Sequence, residues 1–242
     1  MQTRKPVNNF KGELMKVISV LGQKGGSGKT TLTLSLAVAA YKANQSVAVI
    51  DLDPQASACK WGDRRSGDPV IISVQPARLH TVLSKARENG ADLVLIDTPA
   101  RLEQSAIAAA EAADLILIPC RPTIKDTETI EATISLIRAA RTKAKVAAVL
   151  NGVPPRGAQR EQAEDAIRSM TIPVYPFALG NRVAFTHADV LGLSAQEYEP
   201  SGEGAREIKQ IYKFTCELLN SKTAHQSKES KHGKKTRPAA SA

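Results

Sequence analysis

Five apolar runs set the rhythm of the chain: Val17–Leu21, Val47–Ile50, Leu93–Ile96, Leu115–Ile118 and Val146–Leu150. None contains a charge, the pattern of a strand buried on both faces. Between them lie longer stretches with apolar residues at helical spacing: Thr30–Ala43, Leu79–Glu88, Glu103–Ala112, Asp126–Arg141, Gln159–Met170 and about Glu203–Leu219. In the fourth, Ile130, Ile134 and Ile137 share one face; in the last, Ile208, Ile211, Tyr212, Cys216 and Leu219 turn inward. Val70–Val74 and Ile172–Tyr175 read as shorter strands, and a short helix begins near Ala56. Trp61 and the stretch from Asp63 to Asp68 read as an exposed helix end and loop, although a lone tryptophan more often serves packing than function. Strand and helix alternate from Lys16 to Leu219, which predicts an α/β fold: a doubly wound, mostly parallel sheet with helices on both faces. The pattern closes into one domain, residues 15–220, without internal repeats.

The junction of the first strand and first helix carries the chemistry. It reads Gln23-Lys24-Gly25-Gly26-Ser27-Gly28-Lys29-Thr30-Thr31. Strand, glycine-rich turn and helix in that order make a phosphate-binding loop. Glycines let successive backbone N–H groups converge, and the helix start adds unpaired N–H groups and the positive end of its dipole. Lys29 is expected on the β/γ-phosphates of a nucleotide and the Thr30 hydroxyl on Mg²⁺. The loop departs from the spacing G-x-x-x-x-G-K-[ST], because Gln23 stands where the first glycine belongs and a second lysine, Lys24, opens the loop.

Two later strands end in carboxylates. Val47–Ile50 runs into Asp51-Leu52-Asp53-Pro54-Gln55, where an extended backbone would point Asp51 and Asp53 the same way. Both fall at the carboxyl end of a strand, where open α/β sheets bind ligands. There they are expected to hold the water shell of Mg²⁺ and orient an attacking water, Asp53 at the water and Asp51 at the metal. The strand through Ile96 ends in Asp97, the single carboxylate that a metal's water shell needs beside the γ-phosphate. Asn151, ending the run from Val146, offers a donor and an acceptor to an adenine edge.

The loop Lys-Gly-Gly-Ser-Gly-Lys-Thr resembles the deviant Walker A motif of the ParA/MinD superfamily of ATPases. Asp51 to Gln55, and the run Ile96-Asp97-Thr98-Pro99-Ala100-Arg101, are similar to that family's next signatures. The resemblance spans nearly all of residues 15–220 and implies a small ParA-type partitioning ATPase with ATP and Mg²⁺ as its ligands. It implies an ATP-dependent homodimer in which Lys24 reaches the nucleotide of the partner subunit, with Gly25 and Gly26 allowing the loops to approach. It further implies non-specific DNA binding and a ParB-like or adaptor partner that stimulates slow hydrolysis. Asp126 matches an aspartate the family carries near this helix start, although a helix N-cap explains it equally well.

Composition adds a partner and excludes others. The chain has 242 residues, 42% hydrophobic and 4% aromatic, so its core must be built from Ala, Val, Ile and Leu. No apolar stretch approaches the roughly 18–20 residues of a membrane span, and Met1–Glu13 lacks the apolar segment of a secretory signal. A cytoplasmic, nucleoid-associated protein is expected. Cys59, Cys120 and Cys216 show no metal-ligand spacing, which speaks against an iron–sulfur reductase. The net charge of +9 favours a polyanionic partner. Residues 221–242 hold six basic residues against Glu229 alone, a net +5, and read as a disordered basic tail. On the folded part, charge alone nominates Arg182, Arg206, Lys209 and Lys213 for DNA. A MinD-like membrane-cycling ATPase should end in an amphipathic helix, which this tail does not resemble. A dethiobiotin-synthetase-like ligase would not need the basic charge. Residues 1–14 read as a flexible extension, or translation begins at Met15.

Overall fold

The computed structural model describes residues 14–221. The expected extension and basic tail lie outside the described residues, apart from Leu14 and Ser221 at their inner ends.

Seven strands form one sheet, every pairing parallel: β1 (Lys16–Val20), β2 (Val47–Asp51), β3 (Val70–Ser73), β4 (Leu93–Asp97), β5 (Leu115–Cys120), β6 (Lys145–Val153) and β7 (Leu179–Gly180). The order across the sheet is β3-β2-β4-β1-β5-β6-β7. The helices are α1 (Lys29–Lys42), α2 (Ser57–Asp63), α3 (Leu79–Glu88), α4 (Glu103–Ala112), α5 (Ile124–Ala139), α6 (Gln159–Ser169), α7 (Val183–Val190), α8 (Ala195–Tyr198) and α9 (Glu203–Asn220).

Strand alternation divides the buried residues into two cores, one on each face. Ile18, Val20, Val49, Leu95 and Leu117 pack with α1, α2, α8 and α9. Val17, Ile50, Val94, Ile96, Ile116 and Ile118 pack with α3, α4, α5 and α6. Both cores use small residues where helices approach the sheet, such as Ala37 and Ala40 of α1 and Ala109 and Ala110 of α4. Ser19, wholly buried in β1, is tolerated because its hydroxyl donates to the Ala109 carbonyl at 2.6 Å.

Two expectations need correction. Ile172–Tyr175 is no strand; it contributes one bridge, Val174 to Ala148, and the edge of the sheet is instead Leu179–Gly180. Pro173 removes an N–H group that a longer ladder there would use. Trp61 is not at an exposed helix end either: its side chain is buried, and its indole N–H donates to the Leu193 carbonyl at 3.2 Å. Arg65 lies over the indole ring, 5.1 Å from its centroid, and grips Glu197 through two 2.8 Å bonds. The end of α2 is thereby fastened to the α7–α8 junction.

The first consequence is for stability. Trp61→Ala should cost about 3–5 kcal/mol in urea unfolding, while Trp61→Phe, which keeps most of the volume, should cost much less. Equal losses would place the weight on the indole hydrogen bond rather than on packing.

Candidate nucleotide site

The site forms where β1, β4 and β2 end side by side. Parallel register sets Val20 against Asp97, and Asp97 against Asp51, so the loop leaving β1 emerges beside two carboxylates. Gly28, the residue before α1, has φ 93° and ψ 27°, a left-handed conformation that glycine adopts without penalty. A Cβ built there would lie 1.6 Å from Asn151 Nδ2, so any side chain would have to displace that amide as well as hold a left-handed backbone. That amide donates to the Ser27 carbonyl at 2.8 Å, bracing the loop from the end of β6. Lys29 Nζ and the Ser27 hydroxyl both donate to the Lys24 carbonyl, at 3.1 and 3.3 Å, and fold the loop over α1.

Thr30 donates from its hydroxyl to Asp97 Oδ2 at 2.7 Å, and Thr33 donates more weakly to Oδ1 at 3.4 Å. Asp97 is buried, and burial pushes its carboxyl up to about 7 against the pull of the Thr30 hydroxyl. Lys29 is buried too; loss of solvent lowers its pKa, opposed by Asp97 and Asp53. A hydroxyl and carboxylate so paired suit Mg²⁺, which in nucleotide sites takes few protein ligands and fills the rest with water and phosphate oxygens. Among the described residues no group of three or more His, Cys, Asp or Glu side chains is arranged to hold a metal by itself.

Asp51 and Asp53 part company. β2 ends at Asp51, and from that point the two carboxylates enter different surroundings. The Asp51 carboxylate is buried and accepts from the backbone N–H groups of Asp53 (2.9 Å), Ala58 (2.9 Å) and Cys59 (3.2 Å). Burial raises its pKa and those bonds oppose the rise. Its geometry is that of a brace for the loop and the start of α2. Asp53 is only partly buried and faces the cleft.

The cleft above the loop has a volume of about 440 Å³, within the range of small-ligand sites. Of the residues nominated from sequence, Gly25, Gly26, Gly28, Lys29, Thr30, Thr31, Asp53 and Asn151 line it. Asp97 stands behind Thr30, and Ser27 and Asp51 are turned into the protein. Lys24 is held away: its ammonium lies 2.6 Å from Asp126 Oδ2, whose carboxylate also receives the Thr123 hydroxyl.

Sequence reasoning missed Arg121, Asn181 and Phe185, which line the same cleft. It assigned Arg182 to DNA, yet Arg182 lines the cleft and is tied by Nε to Glu207 at 3.0 Å. Arg206 pairs with Glu203, and Lys213 lies 3.9 Å from Glu217, so α9 offers a more balanced surface than its lysines and arginines suggested. The one available signal was position: these cleft residues follow the carboxyl ends of β5 and β7.

The profile of the CobQ/CobB/MinD/ParA nucleotide binding domain matches residues 18–193. The chain belongs to this family. It is 31% identical over 208 residues to the "Maintenance of carboxysome distribution protein A" of Gloeobacter kilaueensis, covering 85% of this chain and 94% of that one. It is 24% identical over 230 residues to the "Chromosome-partitioning ATPase Soj" of Thermus thermophilus, covering 80% of this chain and 92% of the relative. In fold it is similar to the septum site-determining protein MinD of Pyrococcus horikoshii, solved with Mg-ADP, at a TM-score of 0.67 and 21% identity over 86% of this chain and 98% of that one. Among the described residues of this family member, no helix is long and apolar enough to cross a membrane.

The Asp97 environment makes a measurable prediction for the nucleotide-free protein. Between about pH 4, the ordinary carboxyl range, and about pH 7, folded chains hold a proton on Asp97 that unfolded chains have released. Stability should therefore fall as pH rises through that window, and Asp97→Asn should flatten the fall in thermal unfolding. An unchanged slope would show that Asp97 ionises without cost.

Proposed function

We propose that this chain is a ParA-type ATPase that binds ATP with Mg²⁺, closes into a dimer around it, binds DNA and positions a cargo until a partner stimulates hydrolysis. The observation that carries this reading is the pairing of a complete phosphate loop with a second lysine, Lys24, that the single chain keeps out of its own cleft. The relatives named for carboxysome distribution and chromosome partitioning support the cargo-positioning part.

The loop's N–H groups and Lys29 bind the phosphate chain, and the buried Lys29 needs that negative partner to recover its lost hydration. Thr30 and Asp97 would hold Mg²⁺, which when bound neutralises charge on the β- and γ-phosphates. Asp53 reaches the cleft without a metal duty and orients the attacking water; Asp51 keeps the Asp53 loop in register from below. Asn151 gives its amide nitrogen to Ser27 and keeps its carbonyl for an adenine amino group. Hydrolysis of ATP to ADP and phosphate removes the ligand that holds two chains together. The net +9 charge supports a DNA partner; with α9 largely paired, the basic residues beyond Ser221 are the stronger contributors.

Lys24 can serve a partner's phosphates only after leaving Asp126. The two groups therefore compete, and Asp126 sets how readily the dimer forms. In nucleotide titrations Lys29→Ala should lose ATP binding. Lys24→Ala should keep most ATP binding but stay monomeric by light scattering. Asp126→Asn, which frees Lys24, should dimerise at lower ATP concentration than the unmodified chain. If Lys24→Ala dimerised like the unmodified protein, a trans-acting lysine would be wrong here.

A further inference from the structure

The cations around the cleft are unequally committed. Lys24 is bound to Asp126, Arg182 to Glu207, and Lys29 is sunk beneath the loop beside Asp97 and Asp53. Arg121 differs. It stands on the residue after β5, the strand neighbouring β1, with an exposed side chain that lines the cleft. Among the described residues no carboxylate forms an ion pair with it.

Its direction is fixed at two points. A Cβ built on Gly152 would sit 3.9 Å from the Arg121 Cγ, so the stem passes along the carboxyl end of β6. A Cβ built on Gly26 would sit 3.9 Å from Arg121 Nη2, so the guanidinium ends over the phosphate loop. The stem crosses toward the base side and the charged head reaches the phosphate side. A planar guanidinium there can offer two parallel N–H donors to phosphate oxygens.

We infer that Arg121 binds the phosphate chain of the nucleotide held in its own subunit, supplying the second cation that Lys24 withholds while it is paired with Asp126. This rests on the ATP reading above. A nucleotide triphosphate brings several negative charges into a site that already contains Asp53 and Asp97. With Lys24 withheld, one Mg²⁺ and Lys29 would leave part of that charge unanswered in the single chain. Arg121 lets the phosphates bind before any partner arrives, and leaves Lys24 free to report a partner's presence.

The test uses the full chain with a fluorescent ATP analogue, displaced in turn by ATP, ADP and inorganic tripolyphosphate. The unmodified protein should bind all three; failure to bind ATP or ADP would overturn the ATP reading itself. With that binding established, Arg121→Ala should weaken ADP and tripolyphosphate alike by about tenfold to a hundredfold, the range for losing charge-assisted hydrogen bonds. Arg121→Lys should recover part of the loss. Three results would overturn the inference while leaving the ATP reading intact. In the first, Arg121→Ala binds ADP and tripolyphosphate as the unmodified chain does. In the second, ADP binding falls but tripolyphosphate binding does not, which would place the guanidinium on the base. In the third, only ATP-driven dimerisation is lost, which would place it across the interface.

Discussion

A hydrogen bond from Thr30 to the buried carboxylate of Asp97 joins the first turn of α1 to the end of β4, and the rest of the site depends on it. The bond is possible because β1 and β4 are paired with Val20 opposite Asp97, so the loop between β1 and α1 must curl back over the end of β4. That register is held from both faces of the sheet by two separate cores. A carboxylate in this position is costly when charged, as its raised pKa shows. The Mg²⁺ proposed for Thr30 and Asp97 would offset that cost, and so would tie metal binding to the fold itself.

Around this fixed centre stand groups whose partners can change. Lys29 has a buried charge met by the Lys24 carbonyl and by the nearby carboxylates of Asp97 and Asp53. Lys24 has a partner, Asp126, that lies outside the cleft. Asp53 sits on a short loop whose two ends are held by different devices. Asp51 binds the loop and the first turn of α2 through three backbone donors. Trp61 and Arg65 fasten the last turn of α2 to the α7–α8 junction. A change at that junction has a physical route to Asp53 through one seven-residue helix.

Much of this was legible in the sequence because it follows from local pattern. Uncharged apolar runs gave the central strands, since a parallel strand must be apolar on both faces, and Lys24 to Thr31 was legible as a phosphate loop because its glycines and lysines lie between a strand and a helix. Asp97 was legible as a strand-ending carboxylate. What failed depended on tertiary partners or on turns. Asp51 and Asp53 look equivalent in sequence; only the end of β2 between them gives one to the protein interior and the other to the cleft. Trp61 read as exposed because its cover comes from Leu193 and Arg65, one of them more than a hundred residues away. Arg182 read as free charge because Glu207, on α9, faces it only once that helix has packed, whereas the Arg206 pair with Glu203 lies within α9 at i,i+3 spacing. Arg121 carried no motif at all; its position over Gly26 comes from the neighbouring placement of β1 and β5.

The central claim is that the nucleotide's terminal phosphate, bound in this cleft, brings two chains together and that Asp53 serves the attack on it rather than its binding. The most direct measurement is the light-scattering mass of the Asp53→Ala chain with Mg²⁺ and either ATP or ADP. The account predicts a lasting dimer in ATP and a monomer in ADP. A monomer in both, from a chain that still binds ATP, would contradict it.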